Sequence, residues 1–161
     1  MAENPVVNAS PLIYLSRAGL LDILQIISPE IVVPQTVAME ILRRGAADIT
    51  AQAIRQNTWL KVSSTLAVPP EITAWSLGAG ESAVLSWALA NKNTEAIIDD
   101  LAARRCAAAL QIPVRGTLGI ILTAKRRGEI SAARPLLEKL RQNGMYLSDK
   151  VLNKALLLIG E

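Results

Sequence analysis

The chain reads as an α/β protein built on a parallel sheet with helices on both faces. Two observations predict this. Short apolar runs alternate along the chain with longer amphipathic segments, and these runs are too apolar for strands with one wet face. The runs also end in polar or turn-forming residues that start the next helix, as crossover connections require. With 161 residues and 51% hydrophobic content, a single domain over 1–161 is expected, its last helices beginning near 131.

"PVVN" at 5–8 is the first strand, and Ser10-Pro11 supplies an N-cap and a first helical proline for a helix from Leu12 to about Ala18. After Gly19, "LLDILQII" forms a second short helix. "EIVVP" is a strand, and Pro34 opens the helix "PQTVAMEILRRG", closed by Gly45. A helix from Ala47 to Gln56 leads to the alternating strand "WLKVS". The polar, proline-rich segment 64–78 reads as a loop. "GAGESAVLSWALANK" is a strong helix, followed by the strand "EAIID" and the helix "DLAARRCAAALQ". "IPVRG" is a further strand and "TLGIILTAKRRG" a helix with a basic end, before two closing helices.

Composition narrows the chemistry. There is no Phe and aromatic residues are only 3%, so Trp59, Trp75 and Trp87 are expected to serve as bulky packing residues, in the core or at an interface. The same shortage leaves little stacking platform for single-stranded RNA. Cys106, the one cysteine, shares an apolar helical spacing with Ala103, Ala107 and Leu110, which predicts a buried, inert thiol and suits a reducing cytoplasm. No apolar run is long enough for a membrane span. With no histidine, a Ser-His-Asp triad and a His-ligated zinc are both excluded. Carboxylates with a hard metal are the remaining equipment for hydrolysis. The net charge of +3 includes the clusters Arg43-Arg44, Arg104-Arg105 and Lys125-Arg126-Arg127, which serve either as solvated helix faces or as attractors of phosphate.

Sites in open parallel sheets form at the carboxyl ends of strands. Asn8 follows one such end and Asp99-Asp100 another. The aspartate pair admits an ordinary explanation, an N-cap plus an acid in the first helical turn. Glu81 shares the stripe of Val84, Leu85 and Ala88, which turns its carboxylate towards the core, although a first-turn acid would also suit the helix dipole. Glu40 lies beside Ile41 on a mostly apolar helix and reads equally as a surface residue. Several inward carboxylates repel one another, and a bound divalent cation would resolve that conflict.

The blocks "VVNASPLIYLSRAGLLDIL", "VPQTVAMEILRRG", "LGAGESAVLSWAL", "AIIDDLAARRCA" and "RGTLGIILTAKRRG" resemble PIN domains in their order, over roughly 5 to 155. They look most like the PIN-like branch related to the VapC-type toxin ribonucleases of VapBC toxin–antitoxin pairs. The resemblance implies a Rossmann-like three-layer α/β/α fold with a central parallel sheet, and an Mg²⁺- or Mn²⁺-dependent ribonuclease. It implies RNA as substrate, and a cognate antitoxin and a homodimer as partners. Carried over by position, Glu40, Glu81, Asp99 and Asp100 form the catalytic acids. Asn8 joins them as a metal ligand, with Ser10 and Thr117 as polar support. Asn8 stands where PIN nucleases usually have aspartate: its amide oxygen can ligate a cation, but it brings no charge and cannot act as a base. One of Asp99 and Asp100 serves the site while the other caps a helix, and the sequence does not assign them.

Two other readings remain. A catalytically silent PIN fold acting through protein–protein contacts is consistent with Asn8. "GAGESA" matches the outline of a dinucleotide-binding fingerprint, but no buried strand precedes it and Glu81 would repel a pyrophosphate.

Overall fold

The computed structural model describes residues 3–161. Five parallel strands, β1 (Val6–Val7), β2 (Ile31–Pro34), β3 (Leu60–Ser63), β4 (Ala96–Ile97) and β5 (Val114–Arg115), form one sheet in the order β3-β2-β1-β4-β5. The α-helices are α1 (Ala9–Arg17), α2 (Leu24–Ile27), α3 (Gln35–Leu42), α4 (Ile49–Gln56), α5 (Pro70–Thr73), α6 (Ala79–Ala90), α7 (Leu101–Ala109), α8 (Thr117–Arg126), α9 (Arg134–Gln142) and α10 (Asp149–Leu158). A 3-10 turn, Leu21–Ile23, precedes α2. Helix α6 packs across β1, β2 and β4 and against α7, while α1 sits among α3, α4, α8 and α9.

The parallel α/β fold follows from apolar strands that need cover on both faces. Val6, Val7, Ile31, Val33, Ala96 and Ile97 are fully buried, and around them lies an aliphatic core that includes Leu12, Leu15, Ile41, Leu85, Ile120 and Leu137. The strand order reverses between β1 and β4, the point at which an open parallel sheet leaves a crevice beyond its carboxyl edge. Val6 aligns with Ala96 and Val7 with Ile97, so Asn8 and the residues just after β4 meet at that crevice. The ladder continues one step further: Asn8 N–H donates to the Ile97 carbonyl at 3.0 Å and Ile98 N–H to Arg115 at 3.0 Å.

Two expectations are corrected. Helix α1 begins at Ala9, with Asn8 in the N-cap position, so Ser10 and Pro11 lie inside its first turn. Proline is tolerated there because the first N–H groups of a helix have no intrahelical partner to lose. The segment 64–78 contains α5, whose Ile72 is fully buried and anchors an otherwise open stretch. Trp75 is 39% exposed, whereas Trp59 and Trp87 pack against the core. Cys106 is buried as expected, and loss of solvent pushes its thiol pKa up. Among the described residues, no helix is long and apolar enough to cross a membrane.

Candidate functional site

Asn8 is only 3% exposed. It holds the N-cap position of α1, yet its side chain makes no capping bond. Its amide instead crosses to α6 and donates to Glu81 Oε1 at 3.3 Å. Glu81 is the third residue of α6, and its carboxylate folds back over the helix start, where a Cβ on Gly78 would lie 2.5 Å from Oε2. The helix dipole favours a negative charge there, so local and tertiary forces agree on this position.

Gly80 is buried at the same end of α6, and its missing side chain is what lets two elements meet. A Cβ there would lie 3.0 Å from Glu40 Oε2 and 3.1 Å from Asn8 Oδ1. Glu40 is an exposed residue of α3, a helix packed directly on α6, and its carboxylate returns to this spot. Two acceptor oxygens, one of a carboxylate and one of an amide, therefore face the same point, and Glu81 stands one hydrogen bond away. A cation relieves such an arrangement.

Asp99 and Asp100 have separate duties. Asp100 is exposed and accepts from Ala103 N–H at 2.9 Å, capping α7. Asp99 reaches the start of α8: Thr117 N–H donates to Oδ1 at 2.7 Å and the Thr117 hydroxyl to Oδ2 at 2.7 Å. Thr117 is fully buried, so this bidentate grip fixes the Asp99 carboxylate at the carboxyl edge. A Cβ on Gly116 would lie 3.0 Å from Asp99 Oδ1 and 2.8 Å from Arg104 Nη1. Ser10, half-buried in the first turn of α1, makes no side-chain hydrogen bond among the described residues.

The structure thus brings Asn8, Glu40 and Glu81 together around Gly80, and Asp99 with Thr117 around Gly116. It removes Asp100 to a helix cap. Among the described residues, no three acidic, histidine or cysteine side chains are grouped to hold a metal ion. The hard oxygens of Asn8, Glu40 and Glu81 nevertheless suit a hard divalent ion, which keeps several waters and uses few carboxylates. The sequence did not mark Gly80 and Gly116 as parts of the site, and it marked Arg104 only within the Arg104-Arg105 cluster, as a solvated helix face or an attractor of phosphate. Arg104 carried one further local signal, its place four residues after Asp100, from which a helical side chain leans back towards the helix start.

The family model described as a PIN domain matches residues 4–161, nearly the whole chain. The chain is a PIN-domain protein. Nuclease-type chemistry on nucleic acid with divalent metal ions is the general property of PIN domains. The dinucleotide reading falls on structural grounds as well: the segment before Gly78 contains the short helix α5 rather than a strand. No curated protein and no solved structure matches the chain.

Proposed function

We propose that this PIN domain is a metal-dependent endoribonuclease using Mg²⁺ or Mn²⁺, the toxin of a toxin–antitoxin pair. The observation that carries the ribonuclease reading is the convergence of Asn8, Glu40 and Glu81 oxygens over Gly80, at the strand-order reversal of a PIN fold. The toxin assignment rests on the order of the sequence blocks, and with it come a cognate antitoxin and a homodimer as partners. A reducing cytoplasm suits the buried lone thiol.

In this reading Asn8, Glu40 and Glu81 hold the ion. A hard divalent cation supplies charge stabilisation on the scissile phosphate and an activated water. Asn8 contributes an amide oxygen and no proton acceptor, so accepting a proton falls to Glu81 or Asp99. Thr117 keeps Asp99 oriented by occupying one acceptor site on each of its oxygens. Glu40 and Glu81 supply two negative charges, which predicts weaker metal binding than an aspartate at position 8 would give.

The test is cleavage of structured RNA in Mg²⁺, Mn²⁺ or EDTA, with Asp99→Asn and Asp100→Asn as controls. Cleavage that needs metal and Asp99 supports the proposal. A second reading, a silent PIN fold working through protein contacts, is favoured by the amide at position 8 and by the lack of a three-acid group. Absent cleavage together with an absent Mn²⁺ effect on melting would favour it over the nuclease.

A further inference from the structure

Helix α7 starts at the carboxyl edge of β4, and Arg104 lies one turn into it. Its guanidinium extends across to β5, where Nη1 would stand 2.8 Å from a Cβ on Gly116. Asp99 Oδ1 would stand 3.0 Å from the same point, so the cation and the carboxylate share one glycine floor. Any side chain at 116 would displace one of them.

The Asp99 oxygens are already engaged by Thr117. Arg104 is exposed and, among the described residues, makes no ion pair and no side-chain hydrogen bond. Arg115 is committed to Glu95 and Thr123, Arg141 to Glu138 and Asp149, and Arg127 to the Ile26 carbonyl. Several other arginines are also without partners among the described residues, and what sets Arg104 apart is its place beside Asp99 over Gly116. Arg104 therefore places a planar fork of unspent donors beside the Asp99 carboxylate. A site containing Glu40, Glu81 and Asp99 repels a polyanion, and phosphate needs a fixed cation to approach it. Guanidinium matches phosphate oxygens bidentately.

We propose that Arg104 grips a backbone phosphate of the RNA strand beside the scissile bond, holding it over the Gly116 floor next to Asp99. The inference rests on the ribonuclease reading and adds a substrate-positioning residue to it.

The test compares wild type, Arg104→Gln, Arg104→Lys and Arg105→Gln, the last altering the neighbouring exposed arginine of α7. Three measurements are made: steady-state cleavage in Mn²⁺, anisotropy of labelled single-stranded RNA in EDTA between about 50 and 200 mM salt, and thermal melting. For Arg104→Gln the expected result is a KM raised by roughly tenfold, with kcat within about twofold and melting unchanged. Its log–log salt slope falls by about 0.7, the loss of one single-strand phosphate contact. Arg104→Lys recovers the slope but only part of the KM, and Arg105→Gln matches wild type. An Arg104→Gln protein with wild-type KM and slope overturns the inference while leaving the ribonuclease reading intact. A KM loss that tracks a fall in melting temperature, with the slope unchanged, also overturns it, as a structural effect. Wild-type protein that neither binds nor cleaves RNA overturns both.

Discussion

Asn8→Asp is the sharpest perturbation of the site because it is isosteric. It exchanges the Nδ2–H···Oε1 bond to Glu81 for two carboxylate oxygens starting 3.3 Å apart. At an effective dielectric near 20, unit charges at that distance repel by about 5 kcal/mol, and by about 3 kcal/mol once relaxed to about 6 Å. Glu81 is partly exposed, so solvent screening brings the working figure to about 2–3 kcal/mol. For a chain of this size that lowers the melting temperature by roughly 5–10 °C in EDTA. Bound Mn²⁺ stabilises only the native state, and at a hundredfold excess over Kd it returns about 2.7 kcal/mol, enough to cancel the loss. The wild type, with one charge fewer, gains less from the same Mn²⁺; a tenfold weaker Kd would give it about 1.4 kcal/mol. The assay is thermal melting of both proteins in EDTA, Mg²⁺ and Mn²⁺, with calorimetric Mn²⁺ titration. Equal melting in EDTA would refute the close Asn8–Glu81 contact. A deficit that Mn²⁺ does not repair would refute the metal site and leave the silent fold as the better account.

Three further outcomes are expected. Asp100→Ala loses the α7 cap, costing about 1 kcal/mol while cleavage persists, whereas Asp99→Asn removes the charge and replaces one of the two oxygens that Thr117 holds with an N–H donor, cutting cleavage at least about tenfold; equal effects on rate would contradict the division of duties. Gly80→Ala puts a Cβ about 3.0 Å from Glu40 Oε2 and 3.1 Å from the buried Asn8 Oδ1, so both oxygens must shift and Mn²⁺ binding weakens in calorimetry; unchanged Mn²⁺ affinity would contradict the convergence over Gly80. Asp48 is held below the ordinary carboxylate range, chiefly by the Ala51 N–H with help from Arg44, so its charge stabilises the fold above its unfolded pKa and loses that effect as pH falls through the folded value. Asp48→Asn, which keeps a capping side chain, should melt lower at neutral pH by no more than about 4 °C, and its melting curve should converge with that of the wild type on acidification.

The elements were legible where one local rule acted alone. Apolar runs of β-branched and aliphatic residues marked β1, β2 and β4, and the stripe of Val84, Leu85 and Ala88 marked α6, because burial imposes a pattern that the chain must carry; β3 was marked by alternation, although Leu60 is buried and Val62 is 51% exposed. Legibility failed where two local rules tied. Ser10-Pro11 looks like a helix start, but Asn8 is held by the Ile97 carbonyl and the helix begins directly after it. Ile72 hides α5 in a stretch of turn-forming residues, since a single buried anchor has no period to detect. Asp99 and Asp100 are chemically alike in sequence. Only Thr117, 18 residues further on, gives Asp99 its partner, while Asp100 is satisfied within its own helix.

By itself, the sequence determined which chemistry is available: no histidine, one cysteine, acids placed at strand ends and helix starts, and an amide at position 8. These properties belong to individual residues and their near neighbours, so no fold is needed to read them. The tertiary structure alone decided which of these groups meet. Asn8 reaches Glu81 across 73 residues, Glu40 returns to Gly80 from a neighbouring helix, and Arg104 settles beside Asp99 over a glycine of another strand's end. Such meetings depend on strand order and on the few places where a missing Cβ lets two elements close. Neither is written in any local run of residues.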